Sequence, residues 1–202
     1  MDAIEAILTR RSTRKFTGRP IAPETLHQLL EAAMSGPCCV NAREWSFIVV
    51  TDKEALKKMA EANGPPAQPL KQAAAGILVC GDLDRAFPPA KDYWVIDGAI
   101  AAQNICLSAH ALGIGSVWLG AWPQMERVER QRQLFRLPDT VIPHSVIALG
   151  YPQGDITAPG GAVTRKTGYI LSSGERPAFY TCAPASAAID IVFPECYNST
   201  RN

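Results

Sequence analysis

The chain has 202 residues, of which 47% are hydrophobic and 19% are charged, and its formal net charge is +1. This length suits one domain with a tail, and the apolar fraction is large enough to form a core. A net charge so close to zero argues against a nucleic-acid-binding protein and against binding to anionic membranes through a broad basic surface.

The N-terminal segment, Met1 to Glu5, carries charge where the apolar core of a signal peptide would lie. The most apolar stretch, residues 95–112, is interrupted by polar residues and is not expected to span a bilayer. We therefore expect a cytoplasmic protein with reduced thiols. The six cysteines show no C-x-x-C spacing and the three histidines no ligand spacing, so the sequence predicts no metal site.

Apolar periodicity and the positions of Pro and Gly predict an alternation of helices and strands. In chain order these are a helix from Asp2 to near Arg10, a helix over 23–34, a strand over 45–50, a helix over 52–62, a strand over 76–80, a helix over 92–112, a strand over 115–119, a helix opening at Pro123 and a strand over 145–149.

Three further expectations concern packing and organisation. The helix over 92–112 is apolar nearly all round and should run through the core, whereas the prolines of 63–69 predict a loop. The first helix should present an apolar face, formed by Ile4, Ile7 and Leu8. Beyond Gly150 the periodicity is weak, with one predicted strand over 188–193. We expect a domain over 1–155 and an extended arm over 156–202.

A cluster of arginines follows the first helix: Arg10, Arg11 and Arg14, with Ser12 between them. Guanidinium groups bind phosphate bidentately and a serine hydroxyl adds a donor, so these side chains are candidates for holding one anion. A solvated basic turn, or arginines that balance the helix dipole, would explain the same residues.

Two segments of small residues are candidates for contact with a flat ligand. Pro37, Cys38 and Asn41 lie in an irregular stretch before a strand, and Leu119 and Gly120 end another strand beside tryptophans. An ordinary loop and a strand with core tryptophans remain open as alternatives. The sequence has no G-x-G-x-x-G after a strand and no P-loop, so it indicates neither a Rossmann dinucleotide site nor a nucleoside triphosphate site. It also has no G-x-S-x-G, so an esterase is not indicated.

In order along the chain, several motifs resemble the FMN-dependent nitroreductase family. They are R-R-S-x-R-x-F at residues 10–16, the segments 71–82 and 93–104, A-L-G-I-G at 111–115, W-L-G at 118–120 and I-A-L-G-Y-P at 147–152. Each motif alone is weak, but the ordered series over about residues 1–155 is specific.

The resemblance implies an α+β fold with a mixed central sheet flanked by helices, in an intertwined homodimer that binds two FMN molecules at its interface. It implies that Arg10, Arg11, Ser12 and Arg14 hold the FMN phosphate and ribityl chain. It further implies that the partner subunit contributes Pro37, Cys38 and Asn41, and that Leu119 and Gly120 lie against the ring. The family usually has Ser at the position of Cys38. Arg165 or Lys166 would complete the phosphate site, although the tail departs from the family pattern.

The activity implied by the resemblance is transfer of hydride from NAD(P)H through FMN to a nitroaromatic or quinone acceptor. Because a flavin supplies this chemistry, no catalytic acid or nucleophile is expected from the protein. Two alternatives stay open: a flavin-binding or redox-sensing protein with little turnover, and a family member with other flavin chemistry, such as flavin fragmentation or dehalogenation.

Overall fold

A computed structural model describes residues 1–154 and the backbone of 190–192. Its helices are α1 (Ala3–Thr9), α2 (Pro23–Met34), α3 (Lys53–Asn63), α4 (Tyr93–Ala111) and α5 (Met125–Phe135). Its strands are β1 (Trp45–Val50), β2 (Ala75–Asp82), β3 (Gly115–Gly120), β4 (Val141–Gly150) and β5 (Asp190–Val192). Three short 3₁₀ helices cover Cys39–Asn41, Pro65–Gln72 and Pro88–Ala90. None of the helices in this described part is long and apolar enough to cross a bilayer.

The strands form one sheet in the order β3-β4-β2-β1-β5. Neighbouring strands pair antiparallel, and parallel pairing within residues 1–154 is confined to an isolated bridge between Ser12 and Ser116. Two apolar clusters cover the two faces of the sheet. One joins α2 and α4 to alternate strand residues such as Phe47 and Ile77, and the other joins α3 to residues such as Ile48 and Leu78. The expected α+β fold with a central sheet flanked by helices is confirmed.

Local capping explains the boundaries of the first helices. The carboxylate of Asp2 accepts from the N–H of Glu5 at 2.9 Å, and that of Asp52 accepts from Ala55 at 2.8 Å, as N-caps do. Pro23 occupies the first turn of α2, where its missing N–H costs no hydrogen bond. Gly113 follows α4 with φ of +73°, which a glycine adopts without strain.

Three local predictions were wrong. Residues 65–72 form a 3₁₀ helix instead of a loop, because Pro65 and Pro66 occupy its first positions, where an N–H is not needed. α5 begins at Met125, two residues after the proline expected to open it, and β4 begins at Val141, before the predicted start. The other predicted helices and strands are present, with ends within a few residues of those expected.

The apolar residues of α1 and α4 are only partly covered by this chain. Ile4, Ile7 and Leu8 of α1 are 66%, 53% and 63% exposed, and Ala6 is the one buried residue of that helix. α4 buries one face, but Ile96 remains 54% exposed. The expectation that α4 runs fully through the core was therefore wrong for one chain. An apolar pattern predicts burial without specifying whether the same chain or another one covers it.

Candidate active site

The arginine-rich segment after α1 runs along the outer edge of β3. Ser12 pairs with Ser116, and the N–H of Thr13 donates to the carbonyl oxygen of Ser116 at 2.9 Å. A β-carbon at Gly115 would lie 2.7 Å from the side chain of Thr13, so the close approach requires a glycine there. The edge of the sheet thus fixes the backbone from which the arginines project.

The arginine side chains have different surroundings. The guanidinium of Arg11 donates to the carbonyl oxygens of Leu8 and Arg10 at 2.9 and 2.8 Å, so it stabilises the C-terminal end of α1. Arg10 is half-buried, and burial together with the charges of Arg10 and Arg11 lowers the pKa of His110. Arg14 is exposed and lines a cavity. In this chain, Arg11 therefore balances the helix dipole, and Arg14 is the arginine that a ligand in the cavity would meet.

The cavity beside Arg14 has a volume of about 450 Å³ and is lined by Arg14, Lys15, Gln68, Pro69, Gln72 and Gln153. Its volume falls in the range of small-molecule sites. Two cationic and three amide side chains supply donors that suit a phosphate and a hydroxylated chain. Gln68 and Gln72, which were not among the predicted site residues, belong to the 3₁₀ helix over Pro65–Gln72.

The segment that holds Pro37, Cys38 and Asn41 has an unusual backbone. Val40, Asn41 and Arg43 have φ of +44°, +59° and +54°, a region that β-branched Val in particular rarely adopts. Val40 is 67% exposed, and Asn41 accepts from Nε of Arg43 at 3.1 Å. Strained, exposed backbone of this kind is concentrated at ligand-binding sites.

The arginine segment and this loop lie at opposite corners of the sheet. Ser116 of β3 is level with Leu149 and Ala75, beyond the far end of β1, whereas the loop enters β1 at Trp45. Three strand spacings of about 4.8 Å and roughly six residues of strand separate the two, a distance of more than about 20 Å. Within one chain, the two sets of candidate residues cannot contact the same ring.

At the strand end formed by Leu119 and Gly120, a ligand could contact the backbone but not a side chain. Leu119 is fully buried. The carbonyl oxygen of Gly120 accepts from Arg127 at 3.1 Å and from Asn63 at 3.4 Å. A β-carbon at Gly120 would meet only the carbonyl oxygen of Trp122, at 3.7 Å. Any ligand at this strand end would therefore approach Gly120.

A cluster of buried side chains that was not predicted from the sequence lies behind residues 37–43, the strained loop. Oδ2 of Asp97 in α4 accepts from the N–H of Cys39 at 2.7 Å. Glu44 is 1% exposed, and neither of its carboxylate oxygens has a hydrogen-bond donor. Sγ of Cys38 and one oxygen each of Glu44 and Asp97 lie within 4.8 Å of one another. Burial, and next the neighbouring Asp97, raises the pKa of Glu44 to about 7.

An aromatic cluster surrounds His144, which packs on the N-terminal half of α4 against Trp94 and Gly98. Its ring lies 5.8 Å from that of Trp94 and 6.0 Å from that of Trp118. Nδ1 of His144 is 2.9 Å from the hydroxyl of Ser145. Burial lowers the pKa of His144 to about 4, so the imidazole is neutral at pH 7. The sequence indicated no ligand role for this histidine, and its surroundings are those of a core residue.

The motif over 93–104 has a structural role in this arrangement. Asp97 holds the backbone of Cys39, and Nδ2 of Asn104 donates to the carbonyl oxygen of Ala32 at 3.0 Å. Gly36 packs so closely that a β-carbon would lie 2.5 Å from Ile100. α4 therefore positions the end of α2 and the strained loop. Arg165 and Lys166 lie outside the described residues.

A family model described as the nitroreductase family matches residues 7–82 and 68–151 of this chain. A protein of Methanothermobacter thermautotrophicus named putative NADH dehydrogenase/NAD(P)H nitroreductase is 47% identical over 152 residues, which are 75% of this chain and 78% of that protein. An FMN reductase [NAD(P)H] of Bacillus subtilis is 33% identical over 75% of this chain and 66% of its own length.

Solved structures that resemble this chain are also of proteins named nitroreductase. A putative NADH dehydrogenase/NAD(P)H nitroreductase from Parabacteroides distasonis has a TM-score of 0.74 and 36% identity, and covers 84% of this chain and 98% of its own. An FMN-dependent nitroreductase from Clostridium difficile has a TM-score of 0.69 and 30% identity, with coverage of 75% and 88%.

Proposed function

Since the chain belongs to the nitroreductase family, we propose that it is an FMN-dependent oxidoreductase that takes hydride from NAD(P)H and passes it to a nitroaromatic or quinone acceptor. The cavity beside Arg14 carries this proposal, because it combines small-molecule volume with cationic and amide donors. Relatives named NAD(P)H nitroreductase and FMN reductase support both the nicotinamide donor and the flavin.

The residues present fit the phosphate end of FMN. Arg14 and Lys15 provide the positive charge, and Gln68 and Gln72 provide amide donors for the ribityl hydroxyls. Arg10, Arg11 and Ser12 stay predicted ligands, and Arg11 would have to exchange its hydrogen bonds with the end of α1 for bonds to phosphate. Arg165 or Lys166 remains a predicted addition to this site.

FMN, when bound, supplies the hydride chemistry, and the protein supplies position and surroundings. Gly120 leaves space for a ring against the end of β3, because almost nothing would meet a β-carbon there. The strained loop, with Pro37, Cys38 and Asn41, would close the other side of the ring. Sγ of Cys38 accepts from the N–H of Arg43 at 3.4 Å and is close to Glu44 and Asp97, so the backbone of Cys38 is the better candidate for contact with the ring.

A homodimer is part of the proposal for two reasons. The two sets of ligand residues lie at opposite corners of one sheet, so a second copy has to bring its loop to the first copy's arginine segment. In addition, α1 and α4 expose apolar residues that a partner would cover, among them Ile7 and Ile96. Interfaces of obligate homodimers are rich in such residues.

Anaerobic titration of the purified protein with NADH and with NADPH tests the proposal. We expect loss of the flavin absorbance with one equivalent of nicotinamide per bound flavin, and recovery on addition of a nitroaromatic or a quinone. Protein that takes up no FMN would refute the proposal. Bound flavin that neither nicotinamide reduces would favour the binding or sensing alternative. Reduced flavin that only oxygen or a halogenated aromatic reoxidises would favour the other flavin chemistries.

A further inference from the structure

We propose that Cys38, Glu44 and Asp97 bind one divalent transition-metal ion of the zinc type, behind the strained loop. This inference goes beyond the proposed function and does not rest on it, because all three donors belong to one chain and none requires bound flavin. The three donor atoms already lie within 4.8 Å of one another. Donor atoms on one tetrahedral zinc ion lie roughly 3.3–3.8 Å apart, so side-chain rotations that bring the three donors about 1 Å closer together would complete the site.

The strongest evidence for a bound cation is that the carboxylate of Glu44 is buried without a hydrogen-bond donor. Its side chain is 1% exposed, and both carboxylate oxygens are buried without a hydrogen-bond donor. One of its oxygens lies within 4.8 Å of an oxygen of another carboxylate, that of Asp97, which is 3% exposed. Two facing carboxylates repel each other unless a cation or a proton lies between them.

In the described residues, neither of the neighbouring arginines, Arg43 and Arg85, forms a direct ion pair with Glu44 or Asp97. Arg85 donates to Asp82 at 2.8 Å, to the carbonyl of Trp45 at 2.9 Å and to Ser46 at 2.6 Å. Nε of Arg43 donates to Asn41. Both guanidinium groups influence the cluster only through longer-range charge.

The donor set selects the kind of ion. Two carboxylates alone would suit Mg²⁺ or Ca²⁺, but a cysteine sulfur favours zinc and similar borderline metals. With three protein ligands, a tetrahedral ion keeps one position for water or another ligand. The hydrogen bond from the N–H of Cys39 to Oδ2 of Asp97 supports one ligand from outside the coordination sphere, as is usual at metal sites.

A single proton is the competing explanation. A proton on Glu44 makes one hydrogen bond to Asp97 and leaves the second Glu44 oxygen buried without a donor, and it gives no role to the sulfur of Cys38. One ion binds all three groups at once. The adjacent Cys39 is a natural control, because its thiol is outside the cluster.

The test uses the full chain with its flavin, freed of metal by a chelator and titrated with ZnCl₂ in a calorimeter. We expect one Zn²⁺ per chain at this site, and at least about tenfold weaker binding in Cys38→Ala and in Glu44→Gln. Cys39→Ala should bind as the unaltered chain does. Zn²⁺ should also protect Cys38 more than Cys39 from iodoacetamide, as located by peptide mass spectrometry.

Three results would overturn the proposal: no stoichiometric binding, equal binding by the Cys38→Ala, Glu44→Gln and Cys39→Ala variants, or equal alkylation of the two cysteines with and without Zn²⁺. Binding that is as tight in Glu44→Gln as in the unaltered chain would belong to other groups, for example Cys182 or Cys196, and would also count against it. The flavin content of each variant, measured separately, reports on the proposed function. A chain that binds flavin but no zinc refutes the metal site alone.

Discussion

The indole of Trp94 occupies the space that a side chain at Gly81 would need. A β-carbon at Gly81 would lie 2.4 Å from Cε3 of Trp94, closer than real β-carbons approach a neighbour. Trp94 is 4% exposed and contacts Trp122 edge-on, with 5.2 Å between the ring centroids. The start of α4 is thereby packed directly onto the backbone of β2.

Gly81→Ala is therefore expected to lower the free energy of unfolding by about 1–3 kcal/mol, because the added methyl group forces the indole out of a filled core. Urea unfolding followed by tryptophan fluorescence measures this. Gly120→Ala is the matched control, since its β-carbon has space, and with both variants free of flavin it should change stability little. A Gly81→Ala variant as stable as the control would show that Trp94 has room to move.

Arg14 is expected to bind the phosphate of FMN. Arg14→Ala should raise the dissociation constant of FMN about tenfold or more, because a charge-assisted hydrogen bond contributes roughly 1.5–3 kcal/mol. Fluorescence quenching of added FMN gives the constant. Arg19→Ala is the control, because Arg19 stacks on the ring of Tyr151 at 4.2 Å and does not line the cavity. Equal affinities for the two variants would remove Arg14 from the site.

The titration of His144 should make stability depend on pH. Its pKa is lowered by burial from 6.5 to about 4 in the folded chain. The unfolded chain therefore takes up a proton first as the pH falls, and the stability present above pH 6.5 is lost progressively down to about pH 4. The loss from this residue is about 3 kcal/mol.

Urea unfolding at several pH values between 7 and about 4 measures that loss. His144→Asn, which cannot titrate there, should show a flatter dependence on pH even if its stability at pH 7 is lower. His110, whose pKa is also lowered by burial, remains in both proteins and cancels in the comparison. Parallel curves for the two proteins would contradict the assignment to His144.

The exposed apolar face of α1 is expected to lie in the dimer interface. Ile7→Asp places a charge there and should produce monomers in sedimentation velocity, with loss of bound FMN, because the ring would lose the partner's loop. Met125→Asp is the control. Met125 is similarly exposed, at 56%, but belongs to α5, which packs on the other side of the sheet. Dimeric Ile7→Asp protein would place the interface elsewhere.

Much of the fold follows from local sequence. Asp2, Asp52, Pro23 and Gly113 define helix ends through backbone chemistry that acts within one turn, and the structure has those ends where this chemistry predicts them. Strands with apolar residues on both faces are continuous apolar runs, as in 47–50, and are recognisable without knowing their partners. The ordered motifs were sufficient to identify the family.

The candidate site was predictable only in part. The arginine segment was recognisable as an anion-binding candidate, but the sequence did not distinguish Arg11, which stabilises the end of α1, from Arg14, which lines the cavity. Gln68 and Gln72 were not among the predicted site residues, since only the packing of the 3₁₀ helix over Pro65–Gln72 brings them to the cavity beside Arg14. Glu44 gave no signal at all, since a glutamate beside an arginine is normally exposed.

The sequence by itself determined the ends of the capped helices, which residues are apolar and which family the chain belongs to, because capping, periodicity and motifs are local properties. Only the tertiary structure decided which distant groups meet. The order β3-β4-β2-β1 separates the arginine segment from the 37–43 loop, and the packing of α4 brings Asp97 to Glu44 and Trp94 to Gly81. Such contacts depend on strand order and helix packing, which connect residues far apart in the chain and leave no local pattern.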